Sequence, residues 1–188
     1  MLSDRDRNEH GRPEQARPRD RTGRPLPYDT DVTELVEEHE HDTVEGALAN
    51  GVRLWGEQRF FEAHECLEDV WHHAPEPDVA FWKAVIQVAV GCVHVQRGNP
   101  RGAVTMWTRS ADRLEEQPDP HHGIRAAELA AACRAGVYAL AAGADVSDVA
   151  LPDLPTEPGG PWFSPDGGPT PLTREPAWLA ATRPRPEA

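Results

Sequence analysis

The stretch DVAFWKAVIQVAVGCVHVQ, residues 78–96, constrains the fold more than any other part of the chain. On a helical wheel it is apolar almost all round, and a helix with no solvent face must be surrounded by other elements. It is the expected centre of the domain. Its polar exceptions, Lys83, Gln87 and His94, fall on one stripe at spacings of four and seven. The longest apolar run, AVIQVAVGCVHV, falls short of the roughly 20 residues that a membrane span needs. Gln87 and His94 also interrupt it, so a core helix is the reading.

The surrounding segments also read as helices. Thr43 is placed as the N-cap of a first helix carrying Ala47, Val52, Leu54 and Trp55, which Gly46 and Gly51 weaken. A second helix spans 60–73 and stops before the Pro75-Glu76-Pro77 triplet. A third spans 78–96 with Asp78 as its N-cap. The turn RGNP at 97–100 closes it, and Pro100 suits the first turn of a fourth helix that runs to 114. A fifth, 124–142, ends at Gly143. No segment alternates with a period of two, so no sheet is expected. The fold class is all-α, a compact array of about five helices built from antiparallel helical hairpins. A weak internal echo supports the hairpins: EQR at 57–59 and RGN at 97–99 each precede an alanine-bearing helix, with Ala63 and Ala103 in equivalent places.

Most of the 19 prolines lie towards the two ends of the 188 residues, so the middle must hold the core. Residues 1–42 read as an arm, with RPEQARPRDRTGRPLP expected to be extended or polyproline-like and an acidic block after it. Residues 43–143 form the helical domain. Residues 144–188 form a Pro/Gly-rich, irregular tail in which Trp162, Phe163 and Trp178 are candidate anchors. A net charge of −13 argues against binding nucleic acid or an anionic membrane, both of which call for a basic face. Cys66, Cys92 and Cys133 form no CxxC pair, and MLSDRDRNEHGRPEQ has no apolar segment of the signal-peptide kind. Reduced thiols and a cytoplasmic location are therefore expected.

The chemistry-bearing residues cluster in FFEAHECLEDVWHH, residues 60–73. A wheel places Phe60, Ala63, Leu67, Val70 and Trp71 on one arc, with His64 and Glu68 inside it. Glu62 and Asp69 are expected to face water, Glu65 to sit on the boundary and Cys66 to lie outside. His64 and Glu68 are one turn apart, close enough for a hydrogen bond or a shared ligand. A buried carboxylate must be paired, protonated or metal-bound. If the stripe of the third helix faces this one, His64, Glu65, Glu68, Gln87 and His94 converge on one polar pocket. If it faces solvent, only the His64–Glu68 pair remains. Arg97 in the RGN turn is a further candidate that could reach Glu68. The acidic tract Glu37–Asp42 and the pairs His72–His73 and His121–His122 read as surface or capping residues, and Trp55, Trp71, Trp82 and Trp107 as core.

FFEAHECLEDVW, the pair Ile86–Gln87 and HVQRGNPRGA together resemble a family catalogued as domain of unknown function 309. The matching positions are Phe60 or Phe61, Glu62, Ala63, His64, Glu65, Leu67, Glu68, Trp71, Gln87, His94, Arg97, Gly98, Asn99, Gly102 and Ala103. The resemblance covers roughly 43–142 and implies a compact all-helical array with no assigned activity. It departs from the pattern at Gln58–Arg59, where a glycine is expected in the turn. RPRDxxGRPLP in the arm is similar to an extension of some members.

Three functional readings follow. The leading one is a small binding protein whose buried cluster is His64, Glu65, Glu68, Gln87 and His94, with a small-molecule or protein partner. A metal-dependent hydrolase would use His64, Glu68 and His94 as ligands of a divalent metal and Glu65 as base, by analogy with HExxH. A tetratricopeptide-like interaction module would use those residues only to lock helices. No further cofactor is expected, and the oligomeric state stays open.

Overall fold

Two of the five helices begin at capping side chains, and three stop where one residue turns left-handed. The computed structural model describes residues 17–31, 41–163 and 169–172. Helix α1 is Val44–Gly56, α2 Phe60–His73, α3 Val79–Gln96, α4 Pro100–Leu114 and α5 Ala126–Ala141. Thr43 caps α1 by accepting from Gly46 N at 3.1 Å, and Asn99 caps α4 by accepting from Gly102 N at 3.0 Å. Asp78 precedes α3 but makes no side-chain cap. The described residues contain only isolated β-bridges, so the class is all-α.

Three helices end in the same way. After α3, Gly98 adopts φ +68°, Asn99 N donates to His94 O, and Gly98 N donates to Val95 O. After α5, Gly143 (φ +90°) repeats the pattern, with Ala144 N donating to Ala139 O and Gly143 N to Leu140 O. After α1, Gln58 takes the left-handed place at φ +57°, with Arg59 N on Leu54 O and Gln58 N on Trp55 O. All three are Schellman closures, which satisfy carbonyls at the helix end. The EQR and RGN turns are thus geometric equivalents, although only one has glycine.

Consecutive helices pack on each other, α1 on α2, α2 on α3, α3 on α4 and α4 on α5. As its wheel requires, α3 is central: Val85, Val88, Ala89 and Cys92 are all 0% exposed. The helical stretch Glu76–Gln96 is long and apolar enough by length and composition to cross a membrane, but its apolar faces are buried against the neighbouring helices. Trp107 of α4 lies between α3 and α5. A Cβ on Gly91 would come within 2.3 Å of its ring, and one on Gly136 within 2.5 Å. Its indole N–H donates to Val88 O at 3.1 Å. Trp55 and Trp82 are core as expected, whereas Trp71 is only partly buried.

The chain divides into two units, Met1–Glu38 and His39–Ala188. In the first, residues 18–26 of the stretch 12–27 expected to be extended or polyproline-like fold back on themselves, and 12–16 lie outside the described residues. The Asp20 carboxylate accepts from Thr22 N, Thr22 Oγ1 and Arg24 N, and Leu26 N donates to Pro18 O, folding the segment on itself. Polyproline helix has no internal hydrogen bonds to compete with these.

In the second unit, the described residues after α5 are irregular but packed, and Trp178 lies outside the described residues. A 3-10 turn, Val146–Asp148, contacts α3. Trp55 Nε1 of α1 donates to Pro152 O at 2.9 Å in a buried bond, and Arg125 N, before α5, donates to Pro155 O. Trp162 N then donates to His122 O, and Phe163 is 8% exposed near Trp82. Residues 169–172 return to the start of α1, where Thr170 donates twice to the Glu45 carboxylate. The chain therefore lays its own segment across the side formed by α1, α3 and α5. Two clefts of about 510 and 500 Å³ flank this segment, and neither is lined by His64, Glu68 or His94.

Candidate functional site

Helix α2 is rotated from the position its wheel implies. Phe60, Ala63, Leu67 and Val70 are buried as expected, but Glu62 (4% exposed) and Cys66 are buried with them, while Glu65 and Glu68 are exposed and His64 is half-buried. Two local causes stand out. At Gly51 α1 comes close, a Cβ there lying 3.0 Å from Leu67, and this covers the Glu62–Cys66 flank. Arg59 then supplies Glu62 with a bidentate partner, Nε to Oε2 at 2.5 Å and Nη2 to Oε1 at 2.7 Å. The expected buried His/Glu/Gln cluster is in fact a polar face open on one side.

On that face the side chains split into two groups. Gln87 is half-buried, and its side-chain oxygen accepts from Arg113 of α4, so it does not join the histidines through that bond. Lys83 lies 5.9 Å above the Trp71 ring, a cation–π distance. The second group is His64, Glu68, Arg97 and His94, which share one electrostatic neighbourhood. Burial pushes the His64 pKa below its ordinary 6.5; the Glu68 carboxylate and the Phe61 carbonyl oppose this, and Arg97 adds to it. Burial lowers the His94 pKa too, followed by Arg97. Both imidazoles are therefore neutral at pH 7.

Their tautomers follow from their partners. His64 Nδ1 faces the Phe61 carbonyl, which can only accept, so Nδ1 carries the proton and Nε2 is left as an acceptor. Asn99 Oδ1 is committed to Gly102 N, so its Nδ2 faces and donates to His94 Nδ1 at 3.0 Å. His94 consequently carries its proton on Nε2. The ring sits over Gly102, where a Cβ would lie 2.4 Å from Nδ1. This explains the spacing of H-V-Q-R-G-N-P-R-G. The asparagine caps α4 and orients the histidine, and the second glycine makes room for it.

His94 is therefore poorly set up as a metal ligand. Bound through Nε2, it would need a proton on Nδ1, where Asn99 already points a donor. Among the described residues, the group of His, Cys, Asp and Glu side chains whose ligand atoms lie within 4.8 Å of one another is Asp78, His121 and His122, not His64, Glu68 and His94. The first group sits where the loop after α4 meets the start of α3. His121 Nε2 is 3.0 Å from Asp78 Oδ1 and His122 Nε2 is 3.1 Å from Asp78 Oδ2. From sequence this His pair reads as surface or capping residues; its members lie 43 and 44 positions from Asp78, and no spacing rule joins them.

The cysteines offer no nucleophile. Burial, then the carboxylates of Asp69, Glu65 and Glu62, pushes the Cys66 thiol up to about 11. Burial takes Cys133 to about 12 and Cys92 well above its ordinary value. Of the acidic tract, 37–40 lie outside the described residues. His41 bonds Asp69 at 3.0 Å.

Fold and site together define a helical-hairpin array with a polar face on α2 and α3 near the turn that joins α3 to α4. Residues 48–106 match the family model described as Domain of unknown function (DUF309), so the resemblance read from the sequence holds from α1 into α4. No curated protein matches the chain.

Proposed function

We propose that the protein is a small binding protein whose recognition site is the face bearing His64, Glu68, His94 and Arg97. One observation carries this reading: the Phe61 carbonyl faces His64 Nδ1 and the Asn99 amide faces His94 Nδ1, an arrangement that sets the two imidazoles in opposite tautomers near one arginine. His64 offers an acceptor nitrogen, His94 offers an N–H donor, and Arg97 supplies positive charge. Such a set suits a small molecule with an anionic oxygen next to a hydrogen-bond donor. Holding the tautomers in advance lowers the cost of ordering on binding. The exposure of Glu65 and Glu68 and the donor aimed at His94 Nδ1 speak against the hydrolase reading. The segment 146–163 lying on α1, α3 and α5 speaks against a tetratricopeptide-like groove on that side.

Nitrogen-15 NMR of the imidazoles, with inorganic phosphate as probe, tests the reading. We expect His64 protonated on Nδ1, His94 on Nε2, and saturable shifts of both that weaken by tenfold or more in Arg97→Gln. Unchanged His64 and His94 signals at saturating phosphate would count against the site.

A further inference from the structure

The His122 ring has an acceptor opposite each nitrogen. Its Nδ1 lies 3.0 Å from the Trp162 carbonyl oxygen and its Nε2 lies 3.1 Å from Asp78 Oδ2. A carbonyl can only accept, so Nδ1 carries a proton, and a neutral ring would then turn its Nε2 lone pair towards a carboxylate oxygen. A positive species has to sit on that side of the ring, either a second proton or a metal ion.

Four features favour the ion. A metal-bound histidine characteristically donates its other N–H to a carbonyl or carboxylate, as His122 does to Trp162. Asp78 presents Oδ1 at 3.0 Å to His121 Nε2 and Oδ2 at 3.1 Å to His122 Nε2, and one ligand atom from each of the three residues lies within 4.8 Å of the others, close enough to gather about one ion. The rings are also held before any ligand arrives. His121 packs 4.5 Å from Phe81, His122 packs 5.1 Å from Trp82, and the His122 backbone is kept at φ +48° by the bond from Trp162 N to its carbonyl. Finally, the three side chains are 19%, 18% and 9% exposed, which leaves an approach from solvent.

We propose that Asp78, His121 and His122 bind a divalent transition-metal ion of the zinc class, with the fourth position left to water or an exogenous ligand. Two imidazoles and one carboxylate select such an ion over magnesium or calcium, which take oxygen donors. The site is separate from the His64–His94 face and does not depend on how that face is read. It joins the start of α3 to the α4–α5 loop and, through Trp162, to the segment after α5.

The test uses the full chain without a histidine tag, stripped with chelator and titrated with Co²⁺. We expect one equivalent to give the intense visible bands of four-coordinate cobalt, zinc to bleach them, and magnesium to leave them unchanged. His121→Gln and His122→Gln should each weaken uptake by more than about 100-fold, beyond the usual loss for an outer-shell partner. Circular dichroism identifies a variant that fails to fold, in which case the other variant and the wild-type titration decide. No cobalt spectrum in the wild type overturns the proposal. So does uptake that survives both substitutions or is abolished by His64→Gln. A His122 ring that stays doubly protonated at pH 8 with zinc present would also overturn it, and would leave an ion pair with Asp78.

Discussion

Glu62 and Glu68 stand on one helix, yet Glu62 is buried on Arg59 and Glu68 is exposed. Their substitutions should therefore behave oppositely. Glu62→Gln leaves a guanidinium with 10% side-chain exposure facing a neutral amide, while Glu57 lies farther off at 3.7 Å. We expect a loss of about 3 kcal/mol in urea unfolding, the lower end for breaking one side of a buried pair. Glu68→Gln should change stability by less than about 0.5 kcal/mol, as surface substitutions do. His64 and His94 add a pH dependence. Both have folded pKa values below the unfolded 6.5, so below pH 6.5 the unfolded chain binds protons that the folded chain refuses. Their contribution is present above pH 6.5 and is lost as pH falls through the folded values. Melts at pH 7.5 and 5.5 should show a drop that shrinks in His64→Gln and in His94→Gln; an unchanged drop would show that other groups carry it.

At the level of the helices, the close contacts are specified by glycines and by turn geometry. Gln58 holds a left-handed conformation that costs a non-glycine residue roughly 1–2 kcal/mol. Its carbonyl also accepts from Gln96 Nε2 at 2.8 Å, a bond that survives substitution because it uses the backbone. Gln58→Gly should therefore raise stability by up to about 1 kcal/mol, read as a higher melting temperature. The opposite holds at Gly91 and Gly136, which let α3 and α5 close on Trp107. Gly136→Ala sets a methyl 2.5 Å from a fully buried indole that has no room to retreat. Overpacking of this kind costs about 1–3 kcal/mol, and we expect the melting temperature to fall accordingly.

For the molecule as a whole, the segment after α5 belongs to the core. Val149 and Phe163 are each 8% exposed, and Leu151 and Leu154 pack against the same cluster. Fully burying such a side chain contributes roughly 1.5–3 kcal/mol, and the Trp55 indole would also lose its bond to Pro152. A chain ending at residue 144 should lose at least about 3 kcal/mol and show red-shifted tryptophan fluorescence. Wild-type stability in that truncation would mean the helices need no cover on the α1, α3 and α5 side.

Local rules were enough for the class and for most helix limits. The all-round apolar α3, the cap at Thr43 and the turn glycines at 98 and 143 are properties of short stretches that local signals report directly, whereas Asp78 was expected to cap α3 and does not. The turn at Gln58 was legible through its echo with RGN and through the glycine that the family pattern expects there, since no residue present asks for a left-handed backbone. The site was legible in its composition but not in its arrangement. A wheel gives angles about an axis, and only the packing of α1 against Leu67 set which flank of α2 is covered. Glu62 and Cys66 therefore went inside, while Glu68 stayed out. Asp78, His121 and His122 meet because a loop and a later segment fold onto the start of α3. Contacts between residues so far apart in the chain follow from tertiary packing, which no local period encodes.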